Sequence, residues 1–453
     1  MTTRASHPMR RTTSDKETQL VAQQSVPLTA DVAGEALNPN WNRFRWYLVA
    51  LLVLGGVVNY LDRSNLSIAN TTIADEFSLS STQMGLLLAA FSWPYAVANL
   101  PAGYLVDKLG PKRMYAWAAA LWSLVSMVSA AASSFGVLYA ARVALGIAES
   151  PFFTASLKVN ERWFAKDERA LPVSIVNTGS QIANAVAPPL LTFLMLWIGW
   201  RGMFVAIGAL GVLIVLVWLR VYRDPTLREL ATIKGEQAEA HDVEDKPKVN
   251  WGQLFRQRNT YFMILGAFGI FYTVWVYLTW LPSYLKTARG FSLAEIGWLA
   301  SLPFLCGIVG VVTGGYISGR LIRRGVRTVT ARKIPIVGGA LLAAVSVLPV
   351  AYVESTPLAI ALLSLGYFAS QVPIGCLWTL ASDVAPAHQV ASLGAIQNFG
   401  GFLGAAVAPI VTGRILDATG GNYTLVFLVG GVLLLVGGAS YLLFVKERRD
   451  AVA

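Results

Sequence analysis

Gly430-Gly-Val-Leu-Leu-Leu-Val-Gly-Gly-Ala-Ser-Tyr-Leu-Leu443 decides the class of fold. A barrel strand in a membrane alternates apolar and polar residues over about 10 positions, and this run shows no such alternation. It extends from about 424 to 445, roughly the 20 residues a helix needs to cross about 30 Å of hydrocarbon. Runs of similar length and character lie near 46–66, 83–105, 113–132, 136–157, 171–197 and 201–221. After a charged break the pattern resumes near 259–283, 294–319, 334–352, 357–381 and 391–413. The expectation is an all-α membrane protein of twelve transmembrane helices in two pseudo-symmetric halves of six.

Composition agrees with a bilayer setting. Of the 453 residues 55% are hydrophobic and only 13% charged, too few to clothe a soluble globule of this size. Residues 1–45 are polar and lack the apolar core of a secretory signal, and read as a disordered cytoplasmic tail. Residues 46–222 and 259–446 form the two bundles, 223–258 a charged cytoplasmic linker with room for a surface helix, and 447–453 a second tail. The net charge of +11 follows topology rather than a nucleic-acid surface. Arg43 and Arg45, then Lys108, Lys112 and Arg113, then Lys158, Arg162, Lys166 and Arg169, occupy loops on one side. Arg320, Arg323, Arg324, Arg327, Arg332 and Lys333 continue the series, as do Lys446, Arg448 and Arg449 after the last span. The alternate loops, around Asp75 and Glu76, Ser133 to Gly136 and Glu354 to Pro357, are nearly free of Lys and Arg. Basic loops stay in the cytoplasm, so both termini are expected there, with the chain in a bacterial inner membrane.

Ionisable groups inside a hydrophobic span cost at least ~2.5 kcal/mol each and ask for a reason. Asp62 and Arg63 close the first expected span, and Arg142 and Glu149 lie in the fourth. The second half offers only Asp383, Arg414 and Asp417, near span ends. Arg142 and Glu149 are two turns apart, on nearly one helix face but about 10 Å apart along the axis, so they do not touch. On the functional reading Arg142 attracts a substrate carboxylate, Glu149 exchanges a proton, and movement of Arg63 switches the proton affinity of Asp62. On the structural reading these are packing or interfacial charges satisfied by neighbouring helices. His7, His241 and His388 fall in the tail, linker or a loop, leaving carboxylates as the proton carriers. Cys306 and Cys376 sit in apolar stretches and suit packing rather than a disulfide or a metal. No phosphate loop, no catalytic constellation and no cofactor motif is present, so ATP drive and enzymatic chemistry are not expected.

The halves share a weak repeat. Gly103-Tyr-Leu-Val-Asp-Lys-Leu-Gly-Pro-Lys-Arg113 follows the second span, and Gly315-Tyr-Ile-Ser-Gly-Arg-Leu-Ile-Arg-Arg-Gly325 its counterpart. Duplicated halves suit a carrier with one site between them near the membrane midplane. The first of these loops, with Gly103, Asp107, Gly110 and Arg113, resembles the loop signature of the major facilitator superfamily. Within it, Asn59-Tyr-Leu-Asp-Arg-Ser-Asn-Leu66, Phe91-Ser-Trp-Pro-Tyr95, Arg142 to Pro151, Ala187-Pro-Pro189 and Thr279-Trp-Leu-Pro-Ser-Tyr284 resemble the anion:cation symporter family. That family includes galactonate, glucarate and hexuronate carriers and sialin.

The resemblance implies a proton-coupled symporter for a small carboxylate, with proton coupling at Asp62 and Glu149 and Arg63 as modulator, and a monomer is expected. It also implies a gating role for the Gly103 to Arg113 loop. Around Arg142, substrate contacts are expected from Tyr60, Tyr95, Ser180, Trp378, Gln397 and Asn398. Ser180 stands where several members carry glutamine, and Gly319 where the repeat would carry aspartate. An aldonate, uronate or aldarate is the expected cargo. An aromatic acid, a proton-driven drug exporter and a solute-binding sensor without transport are the rivals.

Overall fold

The computed structural model describes residues 40–165, 168–234, 254–384 and 390–446. His7, His241, His388, Lys166, Arg448, Arg449 and most of both expected tails lie outside the described residues. Within them the chain is helical without strands.

The first span runs from Trp41 to Glu76, starting before residue 46 and ending ten residues beyond the expected 66. Polar Ser67, Asn70 and Thr71 obscure its true end in the sequence, because all three find partners or packing inside the bundle. Asp62 and Arg63 therefore lie well inside the span, not at its end. The second span is two helices, Ser81–Ala89 and Ser92–Leu109, and the third is Pro111–Ser129. The fourth is Phe135–Glu149 followed by Pro151–Trp163. Proline cannot donate to the carbonyl four residues back. The freed carbonyl of Ile147 instead accepts from the Ser150 hydroxyl at 2.9 Å, and the elbow falls beside Glu149.

Spans five and six are one helical stretch, Ala170–Val221, that reverses at Gly199, whose φ of 71° a residue with a Cβ adopts at a cost. Thr192 and Trp200 stand at one end of the bundle, whereas Trp218 donates to the Lys112 carbonyl at the other. A short helix, Leu227–Lys234, follows on the linker.

The second half repeats the plan. Its spans are Arg258–Thr287, Leu293–Arg323, Thr328–Ala351, Thr356–Gln371 with Ile374–Val384, Val390–Thr419 and Thr424–Phe444. Among the described residues eight helical stretches are long and apolar enough to cross a membrane, and the one that reverses at Gly199 crosses twice. The remaining three crossings are the second to fourth: the second and fourth are each divided into two shorter helices, and the third carries Lys112 and Arg113 in its first turn.

Hydrogen bonds join the halves at the end away from the basic loops. Ser67 Oγ donates to the Thr279 carbonyl at 3.0 Å and Lys286 Nζ to Thr71 Oγ1 at 2.9 Å. Gly297 packs against Thr192. Eighteen residues, or five turns, before Thr192 on the same face of the fifth span stands Ser174. Close to that face Asn177 and Thr178 are exposed and Gln181 is half-buried. The face that seals against the second half at the far end thus looks into open space toward the basic end.

Candidate functional site

Asp62 and Arg63 are neighbours in sequence but not partners in space. Consecutive residues on a helix point about 100° apart, so each meets a different helix. Arg63 Nε donates to Glu149 Oε2 of the fourth span at 2.8 Å, and the Glu149 side chain is fully buried. The Arg63 guanidinium lies 4.7 Å from the ring centres of Tyr60, Phe91 and Tyr95 alike. Tyr95 in turn packs 5.3 Å from Phe402 of the eleventh span, so this cage touches the seam between the halves. Asn59, also fully buried, stands beside the Glu149 carboxyl.

Asp62 faces the other way. Its carboxyl accepts from Ser126 of the third span and from Asn65 Nδ2 at 3.2 Å. Ser126 Oγ also reaches the Phe204 carbonyl of the sixth span at 3.3 Å. Arg142 donates to the Asp62 carbonyl at 3.2 Å and to Asn65 Oδ1, with its guanidinium 5.3 Å from the Phe204 ring centre. Arg142 is 2% exposed and enclosed by helices of its own half. The expected pairing of Asp62 with Arg63 thus gives way to two separate networks, Arg63 with Glu149 and Asp62 with Arg142 through Asn65. The arginine held in the aromatic cage at the seam is Arg63, not Arg142.

The other expected residues scatter. Ser180 donates to the Asn177 carbonyl of its own helix at 2.6 Å, a bond internal to the span. Gln397 is buried and its Nε2 ties the eleventh span to the Leu377 carbonyl of the tenth at 3.1 Å. Asn398 is half-buried and Trp378 is 49% exposed, nearer the basic end than the Arg63 cage. Asp107 pairs with Lys158 at 3.0 Å within the first half, Gly110 reverses the chain at φ 79°, and Arg113 is exposed. Gly103 approaches Thr154.

Two sets of residues escaped sequence reading. Asn65 joins Asp62 to Arg142, and its spacing of three from Asp62 was the available signal. The stripe Ser174, Asn177, Gln181 recurs at helical spacing on the fifth span, a polar face in an apolar run. A hollow of about 360 Å³ opens among the far-end loops of the second half, walled by Tyr284, Arg289, Tyr352 and Asn422. Arg289 is already committed there to Tyr284 Oη and the carbonyls of Val350, Val353 and Glu354. Among the described residues no three metal-ligating side chains come together.

Two six-span halves, the first with charges buried inside it, define the architecture of a membrane transporter. Residues 52–409 match the model of the Major Facilitator Superfamily, and the chain belongs to that family of transporters, not to an enzyme class. It is 36% identical over 409 residues to a probable L-galactonate transporter of Escherichia coli (strain K12), covering 89% of this chain and 90% of that protein. It is 32% identical over 435 residues to a probable galactarate/D-glucarate transporter of Bacillus subtilis (strain 168), covering 90% and 95%. A bacterial homolog of the human lysosomal transporter Spinster, solved inward-facing and unoccupied, superposes with a TM-score of 0.75 at 18% identity, covering 90% and 97%.

Proposed function

We propose that this chain imports a sugar acid (an aldonate, uronate or aldarate) with protons across a bacterial inner membrane, by alternating access. The observation that carries the reading is the buried Arg63–Glu149 pair in its aromatic cage at the seam between the halves. An incoming carboxylate competes with Glu149 for the Arg63 guanidinium, which is shaped for bidentate carboxylate binding. Glu149, once released, is a buried carboxylate without a counter-charge, and it takes up a proton rather than stay so. Substrate entry and proton loading are thereby linked through one arginine. Asp62 is the second proton site, tied to Arg142 through Asn65. The polar stripe of the fifth span meets the substrate hydroxyls.

The basic loops mark the cytoplasmic end, so the halves are sealed toward the outside and open inward. Moving an anion inward against an inside-negative potential costs about 2.3 kcal/mol per charge per 100 mV, which co-transported protons offset. The relatives' names support the substrate class, both being carriers named for sugar acids.

The test is uptake of labelled galactonate, glucuronate, glucarate and phthalate into proteoliposomes with an imposed proton gradient. Concentrative uptake of a sugar acid, abolished by a protonophore, is expected. Gradient-insensitive uptake rejects the coupling. Preference for phthalate replaces the substrate, and binding without flux makes the protein a sensor.

A further inference from the structure

Asp417, on the eleventh span, is a charge that the proposed transport cycle leaves unused. Its carboxylate oxygens accept from the backbone N–H groups of Ser81 and Thr82 at 2.8 Å each, across the seam between the halves. Those residues begin the nine-residue helix Ser81–Ala89, whose own N-cap is Ser80. The first N–H groups of a helix have no partner within it, and its start carries partial positive charge. Two features of the same seam bring the backbones close enough for this seating. A Cβ at Gly413, one turn before Asp417, would stand 2.2 Å from the Ser81 carbonyl oxygen, and one at Gly85 would stand 2.3 Å from that of Pro409. Apart from such glycines, no residue tolerates this approach.

We propose that Asp417 is a clasp that holds the far end of the transporter shut, seated on the start of the second span and released whole when the halves rock apart. This rests on the alternating-access reading above. Glycine packing gives the seam its closeness but no selectivity between closed and open, because it is non-directional. A charge-assisted bond to two aligned N–H groups is lost within a few ångströms, so Asp417 makes the seal two-state.

The experiment measures the seam directly and needs no substrate. Spin labels are placed at Ser133 and Ser355, exposed residues of far-end loops in different halves, with Cys306 and Cys376 replaced by serine. Pulsed electron–electron distances are then read in lipid nanodiscs. The otherwise unchanged chain gives mainly the short distance. Asp417→Ala raises the ratio of long to short distances roughly tenfold, the effect of losing a hydrogen-bonded charge.

Ser81→Pro removes one of the two donors from the other side. The first helical position accepts proline, and Ser80 already holds the extended conformation (φ −68°, ψ 162°) that a residue before proline adopts. It is expected to open the seam as Asp417→Ala does, and to add little in the Asp417→Ala background. An unchanged distance distribution in both folded variants overturns the clasp, as does full additivity of the two. Should uptake of sugar acids fail while the distances shift as expected, the transport reading falls and the clasp stands.

Discussion

The two halves share a plan, and glycines bring backbones together in both, as at Gly146, where a Cβ would stand 2.4 Å from the Phe91 carbonyl oxygen. Among the described residues, however, the first half alone buries charge deep in its spans. The first half places Asp62, Arg63, Arg142 and Glu149 inside its helices and bonds them to Asn65, Ser126 and one another, while one buried polar atom of each is left without a partner. In the second half, Tyr277 donates to the Leu363 carbonyl and packs 5.0 Å from Tyr367, and glycines let backbones touch. A Cβ at Gly310 or Gly314 would stand 2.2 or 2.1 Å from the carbonyl oxygens of Phe368 and Val372. Its ion pair Arg332–Asp383, 3.1 Å apart, lies toward the basic end. Buried charge is costly and switchable, whereas glycine contact is dry and fixed. On the proposed transport cycle the first half therefore carries the ion chemistry and the second supplies the shaped wall against which it moves.

The harshest way to break that division is Glu149→Gln. The amide still accepts from Arg63 but takes no proton, so concentrative uptake on a proton gradient should vanish while substrate counterflow persists. Loss of both, or survival of both, contradicts a coupling role. Arg63→Ala should act on the same pair from the substrate side, raising KM roughly tenfold to a hundredfold, the range of one to two lost hydrogen bonds to a charged group. Arg63→Lys should recover part of that loss. If Arg142→Lys raises KM more than Arg63→Lys does, the assignment of the two arginines is reversed.

The fold was legible because bilayer thickness imposes a length on each apolar run and loop charge imposes a direction. What misled was polarity inside spans. Ser67, Asn70 and Thr71 look like the end of the first crossing, and only the burial of the first two and the bond from Lys286 to the third show that it continues to Glu76. The charged residues could be picked out by their cost, but not paired. Asp62 and Arg63 suggested each other by adjacency, while helical geometry sends one to Ser126 and the other to Glu149, 86 positions away. Partner choice across helices is a property of packing, and a single sequence does not encode it locally. Likewise Ser180 was selected by register, yet the neighbouring stripe at Asn177 and Gln181 faces the open space.

The other side of the comparison is sharpened by Gly310→Ala. The added methyl meets the Phe368 carbonyl, so the eighth and tenth spans must separate, at about 1–3 kcal/mol for overpacking a tight contact. The variant should melt earlier by nanodisc or detergent thermal scanning, while its proton-to-substrate coupling stays unchanged. Altered coupling would mean that the second half shares the ion chemistry after all.

The smallest effect belongs to a charge pair outside the membrane, which tests whether the first half's reliance on ions extends beyond its site. Arg223, just past the sixth span, donates two bonds of 2.7 Å to Glu229 of the linker helix and lies 4.9 Å from the Phe44 ring and 5.2 Å from that of Trp163. These bonds, with others from Thr226, hold the Glu229 carboxyl below the usual carboxylate range. A lowered carboxyl contributes stability that is present above its ordinary titration range and is lost as the pH falls through the lowered value. With Arg223 36% exposed, the contribution is at most about 1 kcal/mol. Glu229→Gln should lower the melting temperature slightly at neutral pH, and the difference from the parent should close as the pH drops below the carboxylate range. A gap that persists in acid would mean that Glu229 holds the linker helix by shape and neutral hydrogen bonds, not by charge.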